Sequence, residues 1–255
     1  MFDEHIGKAI QAENKCPFGL HLLGIAAHAY MDTFSHYGFS GFSSEYNKIV
    51  NTSIKAEKTY EYEKLHTRID KILNNDILGH YLIDFVKSDF AESGESALGH
   101  GAVMSLPDMP FLEWEFDFEL PRPGNGAHSY RNNVEHFAKA TKALYSKFVE
   151  FAKTKYDGSI QAIPYDSFAD DVLKVLKTVG RKPDRIKAWY YHGLLPEDSS
   201  EYCPEKWANE VSKFETLKTS KFGLNLDCYK FHQAATYHRY YVLKDLLPRY
   251  GIAVY

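Results

Sequence analysis

The chain is poor in cysteine. Cys16, Cys203 and Cys228 are the only three among 255 residues. Their number is odd, their spacings are wide and no C-x-x-C pair occurs, which argues against a disulfide framework and a cysteine-built zinc site. Three buried free thiols in a reducing cytosol are expected. Long apolar runs are also missing. No stretch approaches the roughly 20 residues of a membrane-spanning helix. The first fifteen residues, MFDEHIGKAIQAENK, are charged and have no signal-peptide core. A soluble, unsecreted, cytoplasmic protein with no transmembrane segment is therefore expected. Nor is there a charge excess. Thirty Lys and Arg stand against 34 Asp and Glu, a formal net charge of −4. Such a balance carries no specific nucleic-acid signal and no drive toward an anionic membrane.

What is present is more informative. Hydrophobic residues make up 44% of the chain, enough for a substantial core. There are 12 His, 19 Tyr and 17 Phe. Packed Tyr-rich helices are the first explanation of the aromatics, and a stacking surface for a ligand is the second.

The pattern predicts an all-α fold, a multi-helix globular domain over residues 1–255 with room for a C-terminal helical subdomain from about 160. A short helix is expected over 2–14, broken by Pro17 and Gly19. A helix apolar almost all round follows over 19–37, then a Gly/Ser loop. Helices are expected over 54–75, 76–90, 129–155 and 165–179. Another covers 204–219, with Pro204 in its first turn, and the last covers 226–246. The segment 94–127 holds four prolines and five glycines and reads as a long irregular Gly/Pro/aromatic loop. Strand-like alternation is confined to 112–120. There is no internal repeat and no heptad seam, so nothing points to an oligomeric state.

The chemistry concentrates on residues 19–37. A helix turns about 100° per residue, which puts His21, His28, Asp32 and His36 at about 0°, −20°, 20° and 60°. The other faces carry Leu22, Leu23, Ala26, Ala27, Tyr30, Met31 and Phe34. The helix, and its polar stripe with it, is expected to be buried. Buried polar groups need partners. A divalent cation would satisfy neutral imidazoles and a carboxylate together, and these are usual zinc ligands. The competing reading is a set of core histidines bonded to Asp32 and to backbone carbonyls. Four members in register favour metal.

A second constellation lies in the loop: His100 between two glycines, and Asp108 in Pro-Asp-Met-Pro. The glycines let backbone approach an ion, and the prolines stiffen the chain around Asp108. Ordinary turn chemistry explains the same residues. His80 and Asp84 read as a surface pair, His136 as a core residue, and Arg131 as a surface Arg rather than a phosphate ligand. His232 and His238 are poorly spaced for one helix face.

At GIAAHAYMDTFSHYGFSGF and LGHGAVMSLPDMPFLEW the sequence resembles an uncharacterised bacterial family. Its signatures are a helical His-x-x-x-Asp-x-x-x-His followed by Gly-Phe-x-Gly, then Gly-His-Gly and Pro-Asp. More distantly it is similar to the helical zinc-dependent phospholipase C and P1-nuclease-like superfamily. The resemblance covers about a fifth of the chain. It implies zinc held among helices and hydrolysis of phosphate esters, with His28 and Asp32 as the helical pair and His36 as the following His. The following His lies closer than in those enzymes. The later His-x-x-x-Glu pair is absent, since Met104, Asn132 and Ala140 stand four residues after His100, His128 and His136. Their N-terminal ligands have no clear counterpart, because His5 is the only early His. The implied site therefore holds one or two ions.

The expected function is a metal-dependent hydrolase, zinc being the expected ion and other divalent metals the alternatives, acting on a small-molecule or lipid phosphoester. His21, His28, Asp32, His36, His100 and Asp108 are the expected ligands. Asp32 would bridge ions or orient water, and Asp108 would act as ligand or base. The alternative is a non-catalytic helical domain with a structural or degenerate metal site, serving as an interaction module. A His/Asp phosphohydrolase of another architecture would need an adjacent His-Asp dipeptide, which the sequence lacks.

Overall fold

The structure is a computed structural model that describes residues 1–11, 15–50, 53–56, 98–103, 106–122, 126–180, 182–195 and 203–253. Of the helices expected over 54–75 and 76–90, residues 57–90, with the His80–Asp84 pair, lie outside the described residues, and Lys55–Ala56 form a strand instead of helix.

The fold is helix-rich but not all-α. Seven helices of eight residues or more are described: α1 Phe2–Ala9, α2 Gly19–Ser35, α3 Asn133–Lys155, α4 Ala169–Leu176, α5 Lys182–Tyr191, α6 Pro204–Leu217 and α7 Asp227–Tyr241. A π-helical turn, Val242–Leu246, continues α7. With them stands a three-stranded antiparallel sheet in the order β1 (Lys55–Ala56), β2 (Glu113–Arg122), β3 (Gly126–Asn132). This sheet overturns the all-α expectation and takes residues 113–122 and 126–127 out of the supposed loop at 94–127. The chain divides into two compact units, and the division falls inside α2 after Asp32 and inside α3 after Ala140.

The first unit comprises Met1–Asp32, Thr141–Ser167 and Leu195–Tyr255. In α1 the apolar spacing i, i+3, i+4, i+7 buries Phe2, His5, Ile6 and Ala9. Phe2, Ile6 and Ala9 pack with Leu23, Ala26 and Ala27 of α2 and Phe151 of α3. Gly19 lets the chain enter α2 tightly, since a Cβ there would lie 3.0 Å from the Ala9 backbone.

His5 is completely buried, and its Nε2 lies 2.9 Å from Nδ1 of His238 on α7. The rings of Tyr237 and Tyr241 pack around it. Burial, then the nearby His238 and the N-terminal ammonium, push the His5 pKa down to about 4 against an opposing pull from Glu4. Burial also lowers His238. The fold therefore favours neutral imidazoles.

The second unit comprises Thr33–Ala140 and Phe168–Leu194. Its core is made by β2. The run Glu-Trp-Glu-Phe-Asp-Phe has period two, which sends Trp114, Phe116 and Phe118 inward while Glu113, Glu115 and Asp117 occupy the other face. Ile49, Val103 and Leu112 complete the buried cluster, and Phe39 stacks on Phe116 with ring centroids 5.7 Å apart. β3 pairs with β2 in the register Trp114↔Arg131 and Phe116↔Ser129. Residues 129–132, expected at the start of a helix, thus belong to the sheet. The helix begins one residue later because the Asn132 side chain accepts a hydrogen bond from the Glu135 N–H at 3.1 Å, a standard N-cap.

Two outcomes follow. A buried histidine with a depressed pKa contributes stability that is complete above its unfolded value near 6.5 and is lost as pH falls toward 4. Urea midpoints should fall across that window, with about 2 kcal/mol attributable to His5 after solvent screening. The slope should flatten in His5→Phe, and an equal slope in that variant would contradict the assignment. In the second unit, Phe116→Ala should cost about 3–5 kcal/mol. Glu115→Ala on the other face should cost at most about 1 kcal/mol, and similar urea midpoints for the two would contradict the described facing of β2.

Candidate metal centre

Among the described residues, one group of three or more His, Cys, Asp or Glu side chains offers ligand atoms at metal-site spacing. It comprises His36, His100 and Asp108, with one ligand atom from each within 4.8 Å of the others. His36 Nε2 lies 2.9 Å from Asp108 Oδ1. The imidazoles of His36 and His100 stack with centroids 3.9 Å apart and planes 28° from parallel. Both histidines are half-buried and Asp108 is exposed, so the group has access to solvent.

Each member sits on irregular backbone, and at His36 and Asp108 another side chain holds that backbone in place. His36 follows the last residue of α2. The chain then turns at Gly38, whose φ of +83° is costly for other residues. The carbonyls on either side of His36 are gripped by Arg131 of β3: Nη1 donates to Ser35 O at 3.1 Å and Nη2 to Tyr37 O at 2.6 Å. The guanidinium also stacks on the Tyr37 ring, 3.8 Å from its centroid, and its Nε donates to Ser129 Oγ at 3.3 Å. Arg131 is completely buried. Burial lowers its pKa to about 10, which leaves it cationic at neutral pH.

Asp108 ends a short 3-10 turn, Leu106–Asp108. Buried Asn133, the first residue of α3, holds that turn. Its Nδ2 donates to Leu106 O and Met109 O, both at 2.8 Å, and its Oδ1 accepts from Trp114 Nε1 at 3.1 Å. His100 precedes another 3-10 turn, Gly101–Val103, pinned by buried Val103. Leu98, two residues before His100, bridges to Ser43. The adjoining Ser40–Phe42 loop is held by buried Asn47, which accepts from Ser40 N at 2.8 Å and donates to Phe42 O at 2.8 Å. Arg185 on α5 adds a cation beside the site, its Nη1 donating to Asp108 O at 3.4 Å.

Of the six expected ligands, these three converge. The other three are in the first unit, with different neighbours. His21 Nε2 is 3.6 Å from Asp227 Oδ1. His28 Nε2 is 3.4 Å from Asp32 Oδ2, and the His28 side chain is 83% exposed. The expected buried stripe is therefore corrected. α2 buries Leu22, Leu23, Ala26 and Ala27 along one face, and His28 projects from another. His36 lies beyond the helix end, so wheel angles do not govern its direction. Arg131, expected on the surface, is buried. His136 is half-buried with its ring edge-on to Tyr37 at 4.8 Å, and burial, then nearby Arg131, lower its pKa. His128 pairs with Asp117 at 2.9 Å on the solvent side of the sheet. Arg131, Asn133, Asn47 and Arg185 are the site-forming residues that sequence reasoning missed. The strand-like run at 112–120 was the one available signal, because a partner strand ending at Asn132, directly before Asn133, would have placed the first two.

The chain belongs to a protein family of unknown function, DUF6765, whose family profile matches residues 1–246. No curated protein and no solved structure matches it. Among the described residues no helix is long and apolar enough to cross a membrane.

Asn133→Ala should leave two carbonyls and the Trp114 N–H without their partner and cost about 2–3 kcal/mol. Urea unfolding measures this. A change below about 0.5 kcal/mol would show that the Asp108 turn does not depend on Asn133.

Proposed function

We propose that this member of the DUF6765 family is a metal-dependent phosphoester hydrolase of the cytoplasm, with zinc as the preferred ion. One observation carries the reading: two imidazoles and a carboxylate, His36, His100 and Asp108, present ligand atoms within 4.8 Å of one another at a solvent-accessible position. Two His and one carboxylate form a recurrent catalytic zinc set because they leave coordination positions for water and substrate. A bound divalent ion would supply Lewis acidity toward a phosphoryl oxygen and lower the pKa of water toward about 7.

The protein's own groups would do the rest. His36 and His100 would each offer a neutral ring nitrogen, and their stacked arrangement keeps both in the same opening. Asp108 would supply the anionic ligand, breaking its 2.9 Å hydrogen bond to His36 when an ion is taken up. Arg185, beside the Asp108 carbonyl, would favour an anionic substrate over a neutral ester or amide, since guanidinium groups match phosphate oxygens. His21, His28 and Asp32 receive no ligand role in this reading.

The test is elemental analysis of the purified protein followed by hydrolysis of a phosphodiester panel. The expected result is zinc at one or two equivalents, turnover lost on chelation and restored by zinc, and a drop of about a hundredfold or more in Asp108→Asn or His100→Ala. Stoichiometric metal without turnover on any phosphoester would instead support a structural site. Protein that takes up no divalent metal would contradict the proposal outright.

A further inference from the structure

We infer that Arg131 is a positioning residue for His36, fixing that ligand's backbone on both sides so that its imidazole meets His100 and Asp108; this rests on the metal reading above. His36 stands one residue past the end of α2 at Ser35, and its own carbonyl accepts a turn bond from Phe39 N at 3.2 Å rather than a helix-ladder bond. Its flanking carbonyls, Ser35 O and Tyr37 O, are instead taken by the two terminal nitrogens of one guanidinium. A rigid planar fork that binds both carbonyls sets the distance between them, which a point-charge ammonium cannot do.

The rest of the Arg131 environment points the same way. No carboxylate pairs with its charge among the described residues. The cation is held by oxygens of Ser35, Tyr37 and Ser129 and by the faces of Tyr37, Phe39, Trp114 and Phe116. Filling a sheet core does not require a buried cation, and apolar side chains of similar volume commonly serve as well or better. Arg131 also leaves the following chain little space. A Cβ at Gly38 would stand 3.4 Å from Arg131 Nη2 and 3.6 Å from the Phe118 ring. Both carbonyl bonds and the nearest ring therefore fall on one segment, Ser35 to Gly38, with the ligand within it.

The experiment titrates the full chain with cobalt(II), reading affinity and the visible d–d spectrum, in wild type, Arg131→Lys, Tyr37→Leu and Val172→Ala. Val172 is buried in α4 and controls for loss of stability alone. Outer partners of metal ligands typically contribute about 10–100-fold to affinity. Arg131→Lys should weaken cobalt binding by about tenfold or more and alter the spectrum, while Val172→Ala binds as wild type. Tyr37 is exposed, and its replacement removes the ring under the guanidinium. That variant should lose affinity severalfold, and it decides the question if Arg131→Lys does not fold. Wild-type affinity in the folded Arg131→Lys variant, or in Tyr37→Leu where Arg131→Lys does not fold, overturns the inference and leaves the metal reading standing. A loss in Val172→Ala as large as that in the tested variant does the same. No cobalt uptake by wild type overturns the metal reading, and the positioning role with it.

Discussion

The grip of the Arg131 guanidinium on the carbonyls of Ser35 and Tyr37 is the interaction on which the second unit's candidate site depends. A fully buried cation is normally costly. Here the cost is offset by charge-assisted hydrogen bonds and by aromatic faces, the nearest being Tyr37 at 3.8 Å. Two residues later in the chain, Asn133 secures the turn that carries Asp108. One short stretch at the end of β3 and the start of α3 thus holds the backbone around two of the three candidate ligands. The strand that supplies Arg131 is itself fixed by its register against Trp114 and Phe116. The sheet is therefore the frame of the site.

This arrangement explains why part of the fold was legible in the sequence and part was not. Helices with strong local signals could be read. Pro204 opens α6, and the break at Pro17 precedes α2, which starts at Gly19. The β2 alternation was visible because its inward residues are Trp and Phe. β3 was hidden because its inward residues are Ser129 and Arg131, while Tyr130 and His128 face outward. A hydrophobicity pattern inverts such a strand, and the helix-forming run after Asn133 extends over it by default. The all-α expectation failed at that point.

The same limit applies to the site. Helical spacing grouped His21, His28, Asp32 and His36 on the assumption of a buried stripe, whereas the structure keeps only the His28–Asp32 pair together and sends His21 to Asp227 and His36 to Asp108. His100 and Asp108 drew attention through their Gly and Pro neighbours. Their meeting with His36 comes from loops closed by Asn47, Asn133 and Arg131, and such long-range contacts leave no periodic trace. In the first unit, the partner of buried His5 was equally invisible, because His238 lies 233 residues away.

The most direct measurement is anomalous diffraction at the zinc edge from crystals of the full chain grown with zinc. The account predicts a peak bonded to His36, His100 and Asp108, with Arg131 still on the carbonyls of Ser35 and Tyr37 and at least one coordination position open to solvent. Crystals with the His36–Asp108 hydrogen bond intact and no peak beside it, or with the ion seated at His28 and Asp32 alone, would contradict it.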